Sequence, residues 1–171
     1  MRVPSRIPCL SSWLLATASL AAAAATAPAG AQALTVRLHC INHGSNVVEP
    51  MGEGEGQSLL AAEATCSVHG GPMDGAVETQ HNIWHYVNAK GTLLSGQSVA
   101  RKPGGVSAAQ VVDGELTLQN ADGRVSGWSA AGRARITIAA GSASALAGRT
   151  MKWTATPTGP RTYTVQLSYE P

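Results

Sequence analysis

The stretch "TYTVQLSY", residues 162–169, alternates without a break: Tyr163, Val165, Leu167 and Tyr169 fall on one face, and Thr162, Thr164, Gln166 and Ser168 on the other. A period of two, rich in β-branched and aromatic residues, is the pattern of a half-buried strand. It recurs in "LTVRLHC" (34–40), where Leu34, Val36, Leu38 and Cys40 oppose Thr35, Arg37 and His39. "RARITI" (133–138) and "TMKWTAT" (150–156) repeat it. Glycine and proline punctuate these runs at "GGPMDG" (70–75), "NAKGT" (88–92), "QNADGR" (119–124), "SAAGR" (129–133) and "TPTGPR" (156–161).

Together the runs and turns predict eight or nine strands, over 34–41, 60–68, 76–87, 92–99, 109–119, 124–130, 133–139, 149–156 and 162–170. Two segments, 46–58 and 100–109, read as loops. "QSLLAAEA" (57–64) is either one or two helical turns or the start of a strand, and no other segment approaches an amphipathic helix. An all-β chain must deal with its sheet edges, and closure into a barrel removes them. The first and last strands are both long and regular, as expected if they pair with each other. The fold expected is therefore all-β, a single antiparallel eight- or nine-stranded barrel over residues 34–171, with a Greek-key β-sandwich as the alternative.

The preceding residues differ in kind. Arg2 and Arg6 form a short basic start, an alanine-rich apolar run follows from Ile7 to Ala27, and "PAGAQA" ends it at Ala33. This is the pattern of a secretory signal peptide over 1–33, with cleavage after Ala31 or Ala33; an uncleaved anchor is the competing reading. Removal of 33 residues from 171 leaves 138. Arg2 and Arg6 are two of the twelve basic residues, so ten basic side chains then balance ten acidic ones. That neutrality gives no electrostatic reason for a nucleic-acid partner, and no second apolar run is long enough to span a bilayer. The expected location is secreted or periplasmic.

Two cysteines follow the leader-like segment, each three residues before a histidine and glycine: "CINHG" (40–44) and "CSVHG" (66–70). Export favours a Cys40–Cys66 disulfide closing a loop of about 26 residues. The alternatives are free thiols or a zinc or copper site of Cys40, His43, Cys66 and His69, which requires turns, because on a strand residues three apart point to opposite faces. All five histidines lie between 39 and 85. "HNIWH" (81–85) has the spacing of a helical metal chelate, but its β-branched surroundings place it on a strand, where the two rings sit about 13 Å apart. His81 and His85 are then candidate cavity residues or occupants of a solvent face.

The polar strand faces carry the remaining chemistry. Glu78, Gln80 and Asn82 share a face with Trp84 and Tyr86; Glu115, Thr117 and Gln119 share another; Arg133 and Arg135 a third. Turned inward, these faces would supply Glu78 or Glu115 as a general acid or base, with Trp84, Arg133 and Arg135 around a ligand, while the opposite face of the 76–87 strand would supply His81 and His85. Turned outward, they are a solvated sheet surface. Trp128 and Trp153 read as core. Esterase, zinc-protease, phosphate-loop and covalent-haem motifs are absent; "GEGEG" (52–56) is flanked by acid and unsuited to phosphate.

"GSASALAGRTMKWTATPTGPRTYTVQLSY" (141–169) and, more loosely, "VVDGELTLQNADGRVSGW" (111–128) resemble the closing strands of small barrels of the allene oxide cyclase and dirigent class. The resemblance covers about a third of the chain and rests on glycine and strand patterns. It implies an eight-stranded barrel with an apolar cavity and no cofactor, and assigns no catalytic residue. The functional expectation is a barrel that binds a small, largely apolar molecule, with a cofactor-independent cyclase or isomerase and a metal-binding protein as alternatives. A homo-oligomer is compatible with either shape.

Overall fold

Alternation becomes closure. In a computed structural model describing residues 34–51, 56–121 and 124–170, with side chains 44–47 left aside, eight antiparallel strands form one closed barrel in which every strand pairs with its neighbours in sequence. The expected signal peptide, most of the "GEGEG" stretch and the tip of the "QNADGR" turn lie outside the described residues. The strands are β1 (Thr35–Pro50), β2 (Gln57–His69), β3 (Val77–Val87), β4 (Lys90–Lys102), β5 (Gly105–Ala121), β6 (Arg124–Gly141), β7 (Thr150–Pro157) and β8 (Thr162–Tyr169), with one 3-10 turn at Ser144–Leu146. The barrel, not the sandwich, is the fold.

The two most regular strands close it. β1 and β8 pair in unbroken register from Thr35 opposite Ser168 to Ile41 opposite Thr162. Val36, Leu38 and Cys40 point inward from β1 and are at most 3% exposed, while Tyr163, Val165, Leu167 and Tyr169 answer them from β8. Fully burying an aliphatic side chain is worth roughly 1.5–3 kcal/mol, so a one-residue slip that exchanged the faces would be prohibitive.

Three expectations are corrected. The loop read over 46–58 is mostly strand: β1 continues to Pro50 and β2 begins at Gln57. The loop read over 100–109 is likewise mostly strand, β4 running to Lys102 and β5 starting at Gly105, and of the two readings open for "QSLLAAEA" the strand is the one found, with Leu60 opposite both Val48 and Trp84. "SAAGR", read as a turn dividing two strands, lies within the continuous β6, which makes eight strands of nine ranges. The glycine there serves close approach. A Cβ on Gly132 would overlap the Asp113 carbonyl and stand 2.7 Å from Cζ2 of Trp153, and one on Gly114 would meet the same indole atom at 2.7 Å. Gly114 and Gly132 face each other across β5 and β6, so they form a bare slot in which the Trp153 ring lies. A register shift between Val111 and Asp113 flanks it.

One end of the barrel is filled. Met73 and Ala76 from the β2–β3 connection, and Ala143 and Leu146 from the β6–β7 connection, are at most 4% exposed and pack with Val36 and Val68 into the core. The opposite end carries the β1–β2, β3–β4, β5–β6 and β7–β8 connections.

The Gly132 slot is testable. A glycine-to-alanine change in an ordinary strand gains about 0.5–1 kcal/mol. Gly132→Ala is expected to lose about 2 kcal/mol or more, because the backbone and an indole must both shift. Denaturant unfolding of the variant reads the sign directly.

Candidate functional site

The inward face of β3 places a carboxyl where the barrel is driest. Glu78 is 8% exposed, one of two polar residues among the buried set, the other being Ser107. The pairing of β8, β1, β2, β3 and β4 sets Tyr163, Cys40, Cys66, Glu78 and Ala100 in one row, each opposite the next. Gln80 Nε2 donates to Glu78 Oε1 at 2.8 Å, and the Tyr163 hydroxyl donates across the barrel to Gln80 Oε1 at 2.9 Å. Ser98, inward on β4, also bonds to the carboxylate. Burial pushes the Glu78 carboxyl above its ordinary range, against the opposing pull of its bonds from Gln80 and Ser98. Burial, with Glu78 nearby, raises the Tyr163 hydroxyl, and the same two causes push Tyr169 up to about 12 against the pull of Arg149.

Beside this row the barrel is hollow. A cavity of about 290 Å³ runs between the strands, with Glu78, Gln80 and Ser98 among its walls. Leu38, Met151, Val165 and Leu167 belong to its lower part, and Leu60, Leu93 and Leu118 to its upper part. The rings of Trp84, Tyr86, Trp128, Trp153 and Tyr163 supply most of its aromatic surface. Trp153 meets Trp84 edge-on at 6.4 Å, and Trp128 meets Tyr163 at 5.6 Å. Asn42, Asn82 and Gln97 complete the polar lining. Among the described residues no Lys, Arg or His lines it. The volume is at the small end of the range for small-molecule sites, about 300–1,000 Å³.

Of the residues singled out from sequence, Glu78 and Trp84 face this cavity; Glu115, His81, His85, Arg133 and Arg135 do not, and their inward placement is corrected. The reason is the neighbour on each side. Leu116 and Leu118 take the interior, which turns Glu115 outward. Trp84 and Tyr86 do the same to His81 and His85; His81 Nδ1 lies 3.3 Å from Glu63, and His85 faces Gln57. Ala134 and Ile136 are buried, so Arg133 and Arg135 are exposed. Arg133 Nε donates to Asp113 at 2.8 Å, a surface pair that holds the Asp113 carboxyl below its usual range. Trp128 and Trp153, read as core, are half-buried and line the cavity while packing against that core. Gln80 shared the face of Glu78 in the sequence pattern; the parts of Ser98 and Tyr163 escaped it. The alternation of "GQSVA" (96–100) does put Ser98 on the face of Ala100, but nothing local says that a β8 tyrosine reaches β3.

The two Cys-x-x-His units resolve the same way. Cys40 and Cys66 are directly opposed on β1 and β2 and joined by a disulfide inside the barrel, at 2% and 1% exposure. Such a bridge suits an oxidising compartment. Both units lie in continuous strand, so His43 and His69 leave by the outer face, where they bond to Thr65 and Ser67. The four-residue metal site is therefore not formed, and no cluster of three or more candidate ligands occurs among the described residues. No helix among them is long and apolar enough to cross a membrane.

No family model matches the chain, and no curated protein or solved structure matches it either.

Two outcomes test this interior. Removing the bridge as Cys40→Ala/Cys66→Ala is expected to cost about 3 kcal/mol, given a separation of 26 residues, measured as a lower urea midpoint. For Glu78 the sign follows from its raised value. Between its ordinary value of 4.5 and that raised value the folded state binds more protons than the unfolded chain, so stability falls as pH rises through the window. Glu78→Gln removes the loss. Its melting temperature should exceed that of the unaltered protein at pH 8 and match it below pH 4.

Proposed function

We propose that this chain is an exported carrier whose barrel interior binds one small, largely apolar molecule. The observation that carries the reading is the cavity itself: a hollow of about 290 Å³ walled by leucines and five aromatic rings. Interiors pack to near-crystalline density, so a void of this size in a well-packed barrel marks a place meant for something else. Export is supported by the leader-like residues 1–33 and by the buried disulfide, which together favour a secreted or periplasmic location.

A second reading has its own support in Glu78. A buried carboxyl beside a hollow can move a proton, as a cofactor-independent cyclase or isomerase requires. The resemblance of 111–128 and 141–169 to the allene oxide cyclase and dirigent class points the same way. The two readings separate at Glu78, because a carrier needs only the walls.

The cavity is tested with the neutral fluorophore N-phenyl-1-naphthylamine. Blue-shifted, enhanced emission that saturates at one probe per chain is the expected result. Ala130→Phe, which fills the hollow from β6, should weaken binding at least tenfold. No saturable binding, or binding indifferent to that change, overturns the carrier reading. Ligand recovered by denaturing extraction and mass spectrometry then decides the second reading: catalysis requires that Glu78→Gln still bind it but no longer convert it.

A further inference from the structure

The hydrogen bonds around Glu78 have a direction. Tyr163 donates to Gln80 Oε1, which fixes the amide so that its Nε2–H₂ faces Glu78. Ser98 bonds to the same carboxylate. Tyr163 and Gln80 thus present donors in sequence towards Glu78, an arrangement that favours its carboxylate form.

A carboxylate this deep calls for a counter-charge, because without one burial favours the neutral, protonated form. Among the described residues none lines the cavity beside it. On β2 its neighbours are Cys66 and Ala64, on β4 Ser98 and Ala100, and on β8 Tyr163 and Tyr169. Arg149 is engaged elsewhere: it lies over the Tyr169 ring at 5.8 Å and donates to the Glu170 carbonyl. The described cavity walls hold no cation, yet they hold five aromatic rings, whose faces attract positive charge.

We infer that the missing counter-charge belongs to the ligand: the cavity takes a hydrophobic amine, its ammonium paired with the Glu78 carboxylate and its apolar body among Trp84, Trp128 and Trp153. The inference rests on the carrier reading and narrows it to a class. The ammonium would sit at the closed end, with Gln80 and Ser98 holding the carboxylate oxygens and the Tyr163 ring beside it. Anionic amphiphiles would meet only Glu78 and no cation. An ammonium beside Glu78 favours its carboxylate form, against the burial that favours the protonated one, so binding of the amine is coupled to release of a proton from this group.

Three probes with one chain and three heads test this: hexylamine, 1-hexanol and hexanoate, titrated calorimetrically into the purified protein at pH 7.5. Hexylamine is expected to bind at least tenfold tighter than 1-hexanol, with hexanoate weakest. Its affinity should rise between pH 5 and 8 while that of 1-hexanol stays level. Buffers of different ionisation enthalpy should report proton release for the amine alone. In Glu78→Gln the amine should fall to the affinity of 1-hexanol, which itself should not change. An alcohol that binds as tightly as the amine in the unaltered protein overturns the inference without recourse to any variant. So does an amine preference that survives Glu78→Gln. If none of the three binds while N-phenyl-1-naphthylamine does, the amine class is wrong and the cavity stands; if that probe also fails, both fall together.

Discussion

Everything inside this molecule depends on the pairing of β1 with β8. Until those strands meet, the sheet has two edges and two faces, and no side chain is committed to an interior. Seven residues of each strand pair in unbroken register. Their union encloses Leu38, Cys40, Val165 and Tyr163 at once and gives Tyr163 a partner on β3. The contact joins the two ends of the described chain, so it is the most costly in loop-closure entropy. Its stability must come from apolar burial along both strands, which explains why these two carry the most regular alternation.

What could be read from the sequence divides along the same line. Period two announces which residues share a face, and it did so for Glu78 with Trp84, for Glu115 with Thr117 and for Arg133 with Arg135. Which face turns inward is settled by comparing the two faces of each strand. Leu116 and Leu118 on the face opposite Glu115, and the Ala134–Ile136 pair beside the arginines, already favoured the outcome found. β3 was harder, since Val77, Ile83 and Val87 on one face compete with Trp84 and Tyr86 on the other; the aromatic pair prevails and the aliphatic residues are left exposed. Glycine misled at 129–133, because a turn and a close approach use the same residue. Only tertiary structure shows that Trp153 needs the space above Gly132. Contacts across the barrel, such as Tyr163 to Gln80, leave no trace in a local pattern.

The interior therefore has two chemistries that were one in the sequence. The cysteines and Glu78 occupy adjoining positions of a single row, one pair made inert by its bond and the next residue charged with possibility of proton exchange by its burial. The outer face collects the histidines, where His39 and His69 meet edge-on at 5.0 Å and the others pair with Thr65, Glu63 and Gln57. Segregating imidazoles outside and a carboxyl inside leaves the hollow without any described base except Glu78.

The packing of Met73, Ala76, Ala143 and Leu146 across one end has a mechanical consequence. The barrel is a cup and not a pipe. On the carrier reading, whatever enters must leave by the route it came. Flow through the molecule is impossible without unseating that plug. On that reading exchange belongs to the end opposite the plug, apart from the walls that would decide what is held.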